Sequence, residues 1–226
     1  MRAAAKKRAY HHGDLRRALV DEALLLVAEQ GIARLTLRET ARRVGVSEAA
    51  PYRHFPSKAA LVAAAAEEGF RTLLVRVGEA LRRAPAHPGS RLAALAAAYV
   101  RFAADDPARF RVMFGREVAG SHGFAGLWAA AQENFAVLLN EIAAGQRAGL
   151  LRGRDPRGAA LAAWSAFHGL AFLLVEGLLA RQGLAPSRGL GVEALARQVA
   201  AALLEGLLLR PRPQGRKRAT MSSSRR

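Results

Sequence analysis

The sequence predicts an all-α protein, with a small helix-turn-helix unit near the N-terminus and a longer helical bundle after it. Three observations predict this. Apolar residues recur at helical spacing almost throughout, and no stretch sustains a period-two alternation. Capping residues and Gly or Pro breaks follow one another along the chain in the order that helix starts and stops require. Between residues 36 and 56 two short helical segments flank a glycine-centred turn, the spacing of a helix-turn-helix.

The first helix is expected over residues 14–30, where Leu15, Leu19, Ala23, Leu26 and Val27 share a face and Gly31 suits the exit. Thr36 opens a second helix over 37–44 in a capping-box pattern: its side chain caps the helix while Glu39 reaches back. Gly45-Val46 is the tight turn, and Ser47 is a good N-cap for a third short helix that Pro56 closes. Ser57 caps a long fourth helix over 58–83, which Pro85 and Pro88 end. Beyond this break, helices are expected over 90–104, 107–114, 124–148, 155–181 and 190–209. The chain thus divides into a basic arm (1–13), a DNA-binding unit (14–60), a helical effector-binding and dimerisation unit (61–209) and a basic tail (210–226) expected to be disordered.

The formal net charge of +17 points to a polyanionic partner, nucleic acid or an anionic membrane surface. Its distribution is uneven. Residues 1–13 carry four cations and 210–226 carry seven, with no acid in either, which leaves +6 for residues 14–209. The globular part is therefore not uniformly basic, as an architectural protein binding DNA without sequence preference would be; that architectural role is the alternative reading. Residues 158–175 contain no formal charge and reach the edge of transmembrane length. Ser165 and His168 lie inside the stretch, and Arg157 and Glu176 bound it closely. It reads as a helix buried within the chain or against a second subunit, and no membrane partner is expected.

No cysteine is present, so disulfides, thiol nucleophiles and thiolate metal sites are excluded. His11-His12 with Asp14 lacks further ligands at zinc-like spacing, and Asp105-Asp106 precedes a helix start rather than forming a catalytic pair. No enzyme, cofactor or metal site is expected. With no apolar segment after the basic N-terminal residues, a cytoplasmic location is expected.

In the helix-turn-helix, Glu48, Ala49 and Ala50 lie at the end of the third helix that faces base edges, while Tyr52 and His54 can reach phosphate oxygens. Lys58 stands at the start of the next helix and is the only lysine between residues 8 and 216, as suits a point-charge phosphate donor. The segments Tyr10-His11-His12-Gly13-Asp14-Leu15, Leu37-Arg38-Glu39-Thr40-Ala41, Gly45-Val46-Ser47 and Tyr52-Arg53-His54-Phe55-Pro56-Ser57-Lys58 together resemble the TetR family of bacterial regulators. The resemblance covers roughly residues 10–70. It implies a DNA-binding segment that includes Ser47, with Arg38, Glu48, Ala49 and Ala50 at base-facing positions and Tyr52, His54 and Lys58 at phosphate-contacting ones. Pro51 departs from the commoner family pattern of a bulky apolar residue, and its missing N–H is expected to distort the first turn of the reading helix.

The same resemblance implies that the C-terminal helices bind a small-molecule effector and pair two subunits. Phe167, Leu170 and Leu174 on one long helix, with Leu195, Val199 and Leu203 on the next, are the candidate dimer interface, although the same spacing would serve an internal core. Trp164, His168 and Gly169 resemble the Trp/His-Gly signature of one subgroup of these regulators. Trp164 and His168 share a helix face and can line a pocket, with Phe102, Phe110, Phe114, Trp128 and Phe135 as further lining candidates; each is also an ordinary core residue. The expectation is a homodimeric repressor on palindromic double-stranded DNA, released by a small-molecule effector.

Overall fold

A computed structural model describes residues 12–119, 123–184 and 191–207. Among these residues every regular element is helical. The element order is α1 (His12–Gln30), α2 (Leu37–Val44), α3 (Lys58–Arg83), α4 (Pro88–Asp105), α5 (Pro107–Phe114), α6 (Arg116–Ala119), α7 (Ala125–Arg147), α8 (Pro156–Val175), α9 (Leu178–Arg181) and α10 (Val192–Leu207). Two 3-10 turns, Ile32–Arg34 and Ala50–Arg53, join the first three helices. The basic arm, with Tyr10 and His11, and the tail 210–226 lie outside the described residues.

Local chemistry sets the helix boundaries. The side chains of Thr36, Ser57, Asp106 and Asp155 accept backbone N–H groups at the starts of α2, α3, α5 and α8, satisfying donors that a helix leaves unpaired. Gly45 ends α2 with φ 81°, a left-handed conformation that a residue with a Cβ enters at a cost. The capping box at α2 is only half formed. Thr36 Oγ1 accepts the Glu39 N–H at 3.1 Å, but the Glu39 carboxylate turns to Arg42 and Arg43 instead of reaching back. The helix expected over 155–181 is interrupted, because Gly177 adopts φ 67° and separates α8 from α9. The short α6 has no counterpart in the sequence reading.

The head, α1 and α2 with the turns that follow, closes around buried Leu19, Leu26, Leu35, Leu37 and Phe55. Arg43 ties its helices together through Glu29 (2.7 Å), Glu39 (3.3 Å) and Glu22 (3.4 Å). The only fully buried polar residue among those described, Thr40, donates its hydroxyl to the Thr36 carbonyl at 2.8 Å. In the body α4 is central and packs against α3, α5, α7, α8 and α10. Head and body are joined through α3, which runs without a break from the end of the segment after α2 into the bundle, and through α1, which packs on α5.

Candidate DNA-reading surface and ligand cavity

The segment after Gly45 is not the third α-helix expected from the sequence. Glu48 and Ala49 form a turn, and Ala50–Arg53 is a 3-10 turn with Pro51 near its start. The Ser47 carbonyl accepts the Ala50 N–H at 3.0 Å, where a side-chain cap was expected. The proline has a packing role as well: it is buried, filling the inward position of this turn, and its carbonyl accepts the N–H groups of His54 (2.9 Å) and Phe55 (2.8 Å).

With Pro51 and Phe55 turned inward, Ser47, Glu48, Ala49, Tyr52 and Arg53 are exposed, and Ala50 and His54 are half-buried. Arg38, exposed on α2, approaches Glu48 at 3.5 Å, which brings together two of the base-facing candidates. Tyr52 is 50% exposed, free to extend its hydroxyl outward. Lys58 donates to the Ile32 carbonyl at 2.7 Å, anchoring the start of α3 to the 3-10 turn after α1. An ammonium has three donors, so this bond leaves two for another acceptor. Arg53 was not among the sequence candidates, although its place between Tyr52 and His54 marks it as a further cation on the same strip.

The body encloses a cavity of about 880 Å³ between α3, α4, α5, α7 and α8. Of the sequence candidates, Phe114, Trp128, Phe135 and Trp164 line it. Phe102 does not: it is buried between α4 and α3, with the Arg76 guanidinium 5.5 Å from its ring centre. Phe110 and His168 stand behind the wall. Their rings lie 5.3 Å apart, and His168 packs edge-on to Phe114 at 4.6 Å. The Tyr99 hydroxyl is 2.9 Å from His168 Nδ1. Burial pushes the Tyr99 hydroxyl up, opposed by a contact with Trp164, and burial pulls the His168 imidazole down. A phenol that keeps its proton and a neutral imidazole thus share one hydrogen bond, whose donor is set by the imidazole tautomer. Tyr99, Met113, Asn134 and Arg157 also line the cavity and were missed from sequence, because residue type alone does not distinguish a wall from a core.

Two candidate interface residues are corrected. Phe167 and Leu170 are buried in the chain's own core, on the side of α8 that faces α4, and Phe167 also lines the cavity. Leu174, Leu195, Val199 and Leu203 are half-buried. The opposite face of α8 is uncovered, with Ala162, Ser165, Phe172 and Leu173 exposed. This helix is long and apolar enough to cross a membrane by length and composition, but one side of it forms the bundle core.

The model for bacterial regulatory proteins of the tetR family matches residues 19–65, and the model described as tetracyclin repressor-like, C-terminal domain, matches residues 92–204, half of the chain. The chain belongs to the TetR family. It is a DNA-binding transcriptional regulator, and its helix-turn-helix is the head described above. A structure of a protein of unknown function from Rhodococcus sp. RHA1 is 32% identical, covers 90% of this chain and all of its own, and superposes with a TM-score of 0.74. A tetR-family regulatory protein from Rhodococcus RHA1, 24% identical over 87% of this chain and 98% of its own, shares the fold with a TM-score of 0.67. Among curated relatives, the nucleoid occlusion factor SlmA of Haemophilus influenzae (strain PittGG) is 36% identical over 91 residues, 40% of this chain. The match spans about two fifths of that relative's length.

Proposed function

We propose that this TetR-family chain is a repressor that binds a palindromic operator as a homodimer and leaves it when a small molecule fills the cavity of the body. One observation carries the reading: the cavity is walled by the same two helices that hold the head. Phe70, Leu73 and Val77 of α3 line it, and α3 begins at Lys58 beside the reading segment; Met113 and Phe114 of α5 line it, and α5 packs on α1. A ligand that binds one arrangement of these helices better than another shifts the head by that difference in affinity.

At the DNA, Arg38 and Glu48 are suited to read base edges, the guanidinium a guanine and the carboxylate a cytosine amino group, and Ala49 and Ala50 offer apolar contact to a thymine methyl. Tyr52, His54 and Lys58, with Ser47 close by, take the phosphates that fix the register. The uncovered stripe of α8 beside α10, with half-buried Leu174, Leu195, Val199 and Leu203 at its margins, supports pairing of two subunits, as paired half-sites require. Trp164, His168 and Gly169 on α8 support membership of the Trp/His-Gly subgroup, and action on the chromosome supports a cytoplasmic location.

The test is competition between duplexes selected from a random pool and scrambled duplexes at one salt concentration. The selected duplexes should be palindromic, take two chains each, and bind at least about 10³-fold tighter. Equal affinity would instead make the chain a sequence-nonspecific architectural protein.

A further inference from the structure

The geometry points to an elongated apolar carboxylate as the occupant of the cavity, its apolar part among the tryptophans and its negative group against Arg157. This rests on the reading of the cavity as the effector site and names the class of molecule it takes. Lining residues run along α7 from Trp128 to Leu139, a span of about 16 Å at the helical rise per residue. The Trp128 end is aromatic, and so is the middle, where Trp164 packs on Phe135 with ring centres 6.0 Å apart. At the other end stands Arg157, in the first turn of α8, exposed and without an ion pair among the described residues.

Between the ends the lining carries no charge, and its polar side chains are Gln132, Asn134 and Tyr99. The Asn134 side-chain amide already donates to the carbonyls of Phe70 (2.8 Å) and Ala130 (2.9 Å), and the Tyr99 hydroxyl is taken by His168. An ionised group there would lose its hydration with no opposite charge to meet it. A ligand's charge therefore belongs at the Arg157 end. The chain around that end is cationic. Arg147 closes α7, Arg152 and Arg154 lie in the connection to α8, and the one acid of the connection, Asp155, accepts the Arg157 and Gly158 N–H groups with its two oxygens.

Trp128 and Trp164 are the chain's two tryptophans and both line the cavity, so the fluorescence of the full chain reports on occupancy. The probes are dodecanoate, 1-dodecanol and dodecyltrimethylammonium, each below its micelle concentration. Dodecanoate should bind about tenfold tighter than the alcohol or the ammonium, the increment of a charge-assisted contact. Arg157→Gln should remove that advantage and leave alcohol binding and the melting temperature unchanged, while Arg157→Lys retains part of it. Alcohol or ammonium binding as tightly as dodecanoate, or an Arg157→Gln variant that keeps the full preference, overturns the carboxylate assignment and leaves the cavity reading standing. No fluorescence response to any of the three overturns both.

Discussion

The head and the body of this protein carry their chemistry in opposite ways. In the head, the proposed DNA contacts are exposed side chains held at fixed places by a small, fully packed core: Phe55 and Pro51 turn inward so that Tyr52, Glu48 and Ala49 turn outward. In the body, the proposed effector site is space that side chains leave unfilled, walled by aromatic and aliphatic residues that would pass for core anywhere else. A packed core tolerates truncation poorly, whereas a wall that already faces a void has less packing to lose.

The sharpest way to break this comparison is a matched pair of truncations. Phe55→Ala should destabilise the protein by about 3–5 kcal/mol and abolish DNA binding, since the void would open beneath the reading segment. Phe167→Ala should cost about 3 kcal/mol, at the lower end of that range, and retain DNA binding while enlarging the cavity. Denaturant titrations alongside binding to a selected duplex measure both. If a folded Phe167→Ala protein loses DNA affinity while the Phe55→Ala protein keeps it, the division between head and body is wrong.

A smaller effect sharpens the account of the head. Lys58→Ala should weaken binding to every duplex and lower the slope of log affinity against log salt by about 1, as loss of one phosphate contact requires. The Ile32 carbonyl also loses its donor, so a modest loss of stability accompanies it. An unchanged slope would assign Lys58 to the Ile32 anchor alone.

The smallest effect belongs to the body. Burial holds the His168 imidazole below its ordinary value, so the unfolded chain takes up this proton first as the pH falls. Stability should therefore decline as the pH drops through about 6.5, then level off once the folded-state imidazole protonates too. For a half-exposed ring, solvent screening limits the fall in Tm to about 1–2 °C between pH 7.5 and 5. A His168→Gln variant should show a flatter profile, and one that matches the parent protein would remove the Tyr99–His168 pair from this role.

The contrast also explains what the sequence disclosed. Thr36, Gly45, Ser57 and Asp106 were legible as helix boundaries because each meets a local backbone requirement with its own side chain or with the lack of one. The strip from Arg38 to Lys58 was legible as a family motif because its polar identities and spacing recur together. What escaped depended on three-dimensional neighbours. Glu39 had a choice between the Thr36 backbone and two arginines, and the charged partners took it. Phe167 and Leu170 have the same spacing whether they face α4 or another subunit, so periodicity alone did not choose. Phe102, Phe110 and Phe114 look alike in sequence, yet one packs under Arg76, one stands behind the wall and one lines the cavity.

The unbroken run of α3 has a mechanical consequence. From Lys58 to Phe70, where the cavity wall begins, α3 forms an arm of about 18 Å at the helical rise per residue. Pivoting that arm by about 10° sweeps its Lys58 end through about 3 Å. In the proposed homodimer the two displacements add, against half-sites about 34 Å apart on a double helix whose spacing is set by its own stacking. In that proposed complex the DNA repeat is the fixed measure, and it sets how small a rotation at Phe70 is enough to part the two.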